Sequence, residues 1–149
     1  MQMRLLEELV AIVGQKPGVD ERLRAVQHLG DWLACSGLGA QTEGGQRLAA
    51  MRALTASEGC SPAVGGGTGD ETSSLLFNAS LGNILEMDDV HRESILHPGP
   101  IVIPAALAVA ARVQSTGEAL LDAIVRGYEA VIRVGCSLGA AHYRYWHTT

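Results

Sequence analysis

The segment from Pro104 to Ala111 constrains the fold of this chain more than any other. It reads Pro-Ala-Ala-Leu-Ala-Val-Ala-Ala, so a helix formed by it is apolar almost all the way round and has little bulk. Such a helix has no polar face to present to water, and it is stable only where neighbours cover it. The chain has 149 residues, about the size of one ordinary domain. The segment therefore predicts close helix packing, completed by a larger domain or by a partner.

Apolar residues at helical spacing recur along most of the remaining chain. Helices are predicted over residues 5–13, 20–35, 46–55, 71–85 and 104–114, and from a Ser115–Glu118 capping box onwards. For the second helix, Asp20 is the expected N-cap and Gly37 the expected end. Alternating strand patterns are nearly absent, and the glycine-rich residues 59–70 are expected to form a loop. The sequence thus predicts an all-α fold.

The charge balance and the apolar runs exclude two classes of partner. Acidic residues outnumber lysine and arginine by 16 to 11, which gives a formal net charge of −5. General nucleic-acid binders normally carry a basic field, so no nucleic-acid partner is expected. No apolar run approaches the roughly 20 residues of a membrane span, and the N-terminus lacks a signal-peptide core. We therefore expect a cytoplasmic protein with no membrane partner.

The densest group of reactive side chains lies in residues 86–99, between an apolar helix and a Pro-Gly break. It contains Glu86, Asp88, Asp89, His91, Arg92, Glu93 and His97. If residues 86–91 are helical, Glu86 and Asp89 share one face, and Asp88 shares another with His91. Adjacent acids on a regular helix cannot both point into one pocket, so one should cap or orient while the other faces a substrate. Crowded carboxylates raise one another's pKa, which suits general acid–base chemistry.

Two other interpretations of this cluster are open. It is compatible with a solvated, charged helix end that carries no chemistry. Its Asp, Glu and His side chains could instead hold a divalent ion in an unrelated helical metal-binding module. However, the cluster has neither the EF-hand nor the HExxH pattern, and the three cysteines show no CxxC spacing, so no metal is predicted. The glycines at 65–69 lack the Gly-Lys-Ser/Thr ending of a phosphate loop and predict a connector.

The stretch from Asn78 to His91, followed by His97-Pro98-Gly99, resembles the MmgE/PrpD family. Members typically read N-G-x-x-x-H-x-L-D-x-D-D-T-H, then H-P after a short gap. The corresponding stretch here is Asn-Ala-Ser-Leu-Gly-Asn-Ile-Leu-Glu-Met-Asp-Asp-Val-His. The likeness continues through residues 104–108 and Gly127-Tyr128-Glu129, and it ends at Trp146-His147-Thr148-Thr149. The family includes 2-methylcitrate dehydratase, cis-aconitate decarboxylase and iminodisuccinate epimerase.

The resemblance implies that residues 1–149 are the N-terminal part of a large helical domain, which family members join to a smaller α/β domain, usually as homodimers. It implies a lyase or isomerase that needs no cofactor and acts on a small di- or tricarboxylate, as 2-methylcitrate dehydratase does. Such chemistry needs a base for the Cα–H, an acid for the leaving group and cationic groups for the substrate carboxylates. The implied acid–base or orienting residues are His97, Asp89, Asp88 and Glu86, and the implied substrate-binding residues are His91, Arg92 and His147.

Two departures from the family pattern bear on the substrate. Glu86 stands where members commonly have Asp, and Val90 stands where they commonly have Thr. Because both positions are associated with the active site in the decarboxylase branch, the departures weaken a decarboxylase interpretation. The family also draws lysines, a further histidine and a tyrosine from later in the chain, whereas Lys16 is the only lysine here. The alternative expectation is therefore a truncated, inactive helical scaffold that needs a companion chain.

Overall fold

A computed structural model describes residues 2–146 of the chain. Within these residues six α-helices run over α1 (Gln2–Val13), α2 (Val19–Gly39), α3 (Glu43–Thr55), α4 (Glu71–Asn83), α5 (Gly99–Val113) and α6 (Gly117–Leu138). A short 3₁₀-helix covers Ala140–Arg144. Two strands of two residues each, β1 (Ser61–Pro62) and β2 (Thr68–Gly69), pair antiparallel. The prediction of a mostly helical fold is confirmed, and none of the described helices is long and apolar enough to cross a membrane.

The core lies where α2, α5 and α6 meet, with a second apolar cluster between α4 and the strand pair. The side chains of the first cluster are almost fully buried and belong to Ala25, Trp32, Ile103 and Ile124. The second cluster consists of Ala63, Phe77 and Leu81. Helix α5 packs against α2, α4, α6 and β1, as its small apolar residues predict. Ile101 and Val109 on α5 nevertheless stay exposed, so the described residues cover this helix incompletely.

The ends of α2 differ from the sequence-based prediction. Gly18 is the N-cap, so the assignment of that role to Asp20 is wrong. The helix also continues through Gly37, the predicted end, to Gly39. Its last turn packs on α4 so closely that a Cβ at Gly39 would collide with the carbonyl oxygen of Leu81. Packing against α4 therefore extends α2 beyond the residue at which the local sequence suggested a stop.

Helices α5 and α6 also begin at residues other than those predicted. α5 starts at Gly99 rather than Pro104, because Pro100 lies in its first turn, where a missing N–H is tolerated. The predicted break at residues 97–100 is thus the beginning of this helix. α6 is capped by Thr116, whose hydroxyl oxygen accepts a hydrogen bond from the Ala119 N–H at 3.2 Å. The predicted capping box at Ser115 is therefore wrong by one residue.

The glycine-rich segment 59–70 contains the strand pair and is not a plain loop. Ser61 pairs with Gly69 and Pro62 with Thr68. The turn between them has positive φ angles of 88°, 112° and 79° at Gly65, Gly66 and Gly67, which side chains would disfavour. Pairing over two residues is too short to show the alternating pattern by which strands are predicted.

Residues 84–98, here called the acidic loop, connect α4 to α5. α4 ends at Asn83, and the expected helical arrangement of residues 86–91 does not form. Glu86 has a φ of 50°, in the left-handed region, which a continuous right-handed helix excludes. The proposed sharing of helix faces by Glu86 with Asp89, and by Asp88 with His91, is therefore wrong. Loop geometry decides instead which of these side chains meet.

Candidate functional site

The acidic loop brings Asp88 and His97 together at the end of α4. Asp88 Oδ2 lies 2.9 Å from His97 Nδ1, and the Asn83 amide donates to both Asp88 oxygens at 3.3 and 3.4 Å. The Asp88 side chain is 1% exposed and the His97 side chain 22%. A buried carboxylate with these partners is held in one orientation, and it fixes the imidazole ring and its tautomer in turn. This is the geometry of an oriented general acid or base.

His97 lines a cavity of about 410 Å³ between α4 and the start of α5. The other lining residues are Ala79, Ser80, Asn83, Glu86, Pro100 and Ile101. Small-ligand pockets commonly have volumes of roughly 300–1,000 Å³. The structure therefore brings two of the sequence-predicted catalytic residues, His97 and Glu86, to one cavity of suitable size. Asp88 lies behind His97 and does not line this cavity.

Asp89 contacts different elements from its neighbour Asp88. Its Oδ2 accepts a hydrogen bond from the Tyr128 hydroxyl at 2.8 Å and lies 3.0 Å from His28 Nδ1. Its Oδ1 accepts a hydrogen bond from the Gly99 N–H at 2.9 Å, at the first residue of α5. Asp89 thus ties the acidic loop to α2, α5 and α6, and it is Asp88 that faces His97.

These contacts change the pKa values of Asp89, His28 and Tyr128. Burial alone would raise the pKa of Asp89, but the hydrogen bonds from His28, Tyr128 and Gly99 together outweigh it and lower that pKa. Hydrogen bonding to the carboxylate raises the pKa of His28 against the opposing effect of burial. Burial, reinforced by the charge of Asp89, raises the pKa of Tyr128. Asp89 is therefore an ionised acceptor near neutral pH, and Tyr128 is a protonated donor.

The structure does not bring His91 and Arg92 to the cavity that His97 lines. His91 Nδ1 lies 2.8 Å from Ser94 Oγ, and the His91 backbone N–H donates to the Leu96 carbonyl at 2.9 Å, so this residue closes a turn inside the acidic loop. Arg92 is exposed. The third predicted substrate-binding residue, His147, lies outside the described residues. The substrate-binding roles of all three stay predictions.

Comparison with known proteins settles the family. Residues 15–149 match the family model of the MmgE/PrpD N-terminal domain. The chain belongs to the MmgE/PrpD family. The matched range contains the acidic loop and every described helix except α1. No curated protein and no solved structure matches the chain.

His28 has no role among the sequence-based predictions, and Tyr128 enters them only through the resemblance at Gly127-Tyr128-Glu129. His28 lies between Ala25 and Trp32 on the face of α2 that enters the core. A polar residue on such a face needs a partner, because an unpaired buried polar group is destabilising. A histidine on this partly buried face was the available signal, although it does not name Asp89 as the partner.

The metal-binding interpretation of the acidic loop finds no support in the geometry. Within residues 2–146 no group of three or more His, Cys, Asp and Glu side chains is placed to hold a metal ion. In this MmgE/PrpD domain two of the loop's carboxylates contact protein donors instead. Asp88 contacts Asn83 and His97, and Asp89 contacts Tyr128 and Gly99. That the domain works without metal or cofactor stays a prediction.

Proposed function

We propose that this domain supplies acid–base residues to a lyase or isomerase that needs no cofactor and acts on a small di- or tricarboxylate, as 2-methylcitrate dehydratase does. The observation that carries the proposal is the Asp88–His97 pair, whose imidazole lines a cavity of about 410 Å³. Family membership favours the same reaction class. A buried acid that orients a histidine at a cavity is the arrangement that proton transfer next to a substrate carboxylate requires.

The proposed step is proton transfer at His97 Nε2. Asp88 holds Nδ1, so the carboxylate accepts from Nδ1–H and stabilises the imidazolium that forms when Nε2 takes a proton. In a dehydration, the Cα–H proton passes to Nε2, the electron pair of that bond forms the C=C bond, and the hydroxyl leaves with an added proton as water. Glu86, an exposed residue of the same cavity, is the proposed proton donor for the leaving hydroxyl.

Recognition of the substrate carboxylates needs more than the described cavity offers. Its lining contains no lysine or arginine among the described residues. Carboxylates bind most strongly to charged donors, and bidentate arginine contacts are the strongest of these. We therefore propose that further cationic groups come from another part of the assembled protein. The family resemblance favours a homodimer as that assembly.

The test is an activity assay on 2-methylcitrate, citrate, cis-aconitate and iminodisuccinate. His97→Gln is expected to lower kcat by about 10²-fold on the substrate that is turned over, as for other acid–base groups. Glu93→Gln is the matched control, because Glu93 is an exposed residue of the same loop and does not line the cavity. An unchanged rate in His97→Gln would remove this histidine from the mechanism.

The second candidate function is an inactive helical scaffold that needs a companion chain. It is favoured by large apolar side chains that stay exposed, among them Leu54 at 88% and Trp146 at 77%. Exposed apolar surface of this kind marks interaction sites on soluble proteins. The same assay distinguishes the two functions, since turnover by the chain alone contradicts the scaffold. Turnover that begins only when a companion chain is added supports it.

A further inference from the structure

One carboxylate, that of Asp89, joins four parts of the fold. It lies in the acidic loop, and its contacts reach His28 on α2, Gly99 at the start of α5 and Tyr128 on α6. The rings of His28 and Tyr128 also touch each other, with centroids 4.8 Å apart. Oδ1 of Asp89 thus contacts α5, and Oδ2 contacts both α2 and α6. A carboxylate held in this way is fixed in position as well as in charge.

The contacts of Asp89 run beside those of Asp88. The two acids are consecutive in the chain. Their partners, His97 for Asp88 and Gly99 for Asp89, are separated only by Pro98. Two side-chain links therefore cross the acidic loop next to each other, from Asp88 to His97 and from Asp89 to Gly99. Because one peptide group joins the two acids, a displacement of Asp89 moves the Asp88 carboxylate relative to the imidazole.

We propose that Tyr128 and His28 are positioning residues for His97, which act through Asp89 and Asp88. The inference rests on the proposed function, in which His97 transfers the proton. Neither residue lines the cavity of His97; both line a separate cavity of about 290 Å³ between α2 and α6. Their effect on the imidazole is therefore indirect, through the position of the acidic loop.

Close packing at Gly99 supports this coupling. A Cβ at this residue would lie 2.6 Å from Asp89 Oδ1 and 3.3 Å from the Tyr128 hydroxyl oxygen. The carboxylate reaches the backbone N–H because no side chain stands there. Packing this tight transmits a displacement of Tyr128 or His28 to the acidic loop instead of absorbing it.

The tautomer of His97 gives a readout that a merely structural role would not move. In the ¹⁵N-labelled protein, two-bond ¹H–¹⁵N spectra distinguish Nδ1–H from Nε2–H, and His97→Gln assigns the signal. The wild-type imidazole should be predominantly Nδ1–H when neutral, because Asp88 accepts from that nitrogen. Tyr128→Phe and Asp89→Asn should both shift His97 towards Nε2–H. His28→Gln, which retains a donor near Asp89, should cause a smaller shift.

Arg22→Gln is the matched control for helix packing. Arg22 on α2 pairs with Asp122 on α6 at 2.6 Å and with Glu118 at 2.9 Å, so it joins the same two helices as His28 and Tyr128 without contacting the acidic loop. Its substitution should leave the His97 tautomer unchanged. A shift in this control as large as in Tyr128→Phe would overturn the proposal, because general loosening of the helices would then explain both.

Further outcomes decide the proposal in either direction. An unchanged His97 tautomer in Tyr128→Phe overturns it, even if that variant unfolds at a lower temperature. If Asp89→Asn does not fold, Tyr128→Phe decides alone, since it removes a single hydroxyl. The spectra need no substrate, so they test positioning even if the chain turns over none of the assayed acids. If His97→Gln abolishes turnover but Tyr128→Phe leaves the His97 tautomer unchanged, the positioning role of Tyr128 and His28 is wrong. The proposed function then still stands.

Discussion

Asp88 Oδ2 lies 2.9 Å from His97 Nδ1, and the carboxylate that makes this contact is 1% exposed. A carboxylate so far removed from water is tolerated only where donors surround it. The Asn83 amide also donates to this carboxylate, at 3.3 and 3.4 Å from its two oxygens. The end of α4 and the residue before Pro98 thus meet at one buried charge, and the stability of this part of the fold should depend on both donors.

Asn83→Leu should destabilise the domain by about 1–3 kcal/mol, because it leaves a buried carboxylate with fewer donors. The measurement is the free energy of unfolding from denaturant titration. Ser80→Ala is the matched control on the same helix, since the Ser80 hydroxyl donates to the Leu76 carbonyl at an exposed position. That control should stay within about 0.5 kcal/mol of the wild type. Equal stability of the two variants would contradict the importance of the amide.

The pair of His28 and Asp89 should make stability depend on pH. The Asp89 carboxylate raises the pKa of His28 above its ordinary value of 6.5, and the charge of Asp31 raises it further. Burial and the charge of Arg24 lower this pKa, but their combined effect is smaller. A raised pKa contributes stability that is fully present below 6.5 and is lost as pH rises through the folded-state value. At the acidic limit the contribution fades as Asp89, whose pKa is lowered, becomes protonated. The pair therefore stabilises the fold in the pH range between the lowered pKa of Asp89 and the raised pKa of His28.

His28→Gln tests this pH range by the free energy of unfolding measured from acidic to alkaline pH. The wild type should exceed the variant most on the acidic side of neutrality, and the two should converge at alkaline pH. The difference should be at most about 1 kcal/mol, because the imidazole is 42% exposed and solvent screens the pair. A difference that grows as the pH rises would contradict the assigned direction of the His28 shift.

The sequence predicted the composition of the candidate site better than its geometry. Apolar spacing indicates α4 and α5, and the density of acids and histidines marks residues 86–97, because both signals are local. Which acid meets His97 depends on the end of α4 and on Asp89, whose partner Tyr128 is 39 residues away in the chain. Helical periodicity carries no information about such a contact. For the same reason the continuation of α2 past Gly37, which packing on α4 supports, was not predicted.

Gly99→Ala should displace Asp89 without deleting any functional group. The added Cβ would lie 2.6 Å from Asp89 Oδ1, so the carboxylate or the start of α5 must move, and we expect a loss of about 1–3 kcal/mol in unfolding free energy. Gly117→Ala is a close control, because Gly117 is also the first residue of its helix and a Cβ there meets no atom within 4 Å. Denaturant titration of the two variants measures the difference. If Gly99→Ala is as stable as Gly117→Ala, the close approach at Asp89 is not a constraint.

Asp88→Asn should separate orientation of the imidazole from substrate binding. Asp88 does not line the cavity, so the substitution should lower kcat by about 10²-fold and leave KM nearly unchanged. Glu86→Gln changes a residue that lines the cavity and should alter KM as well as kcat. Steady-state kinetics on the acid that the protein turns over measure both constants. A rise in KM without a fall in kcat for Asp88→Asn would contradict its role behind His97, since replacing the carboxylate beside Nδ1 by a neutral amide should slow proton transfer first.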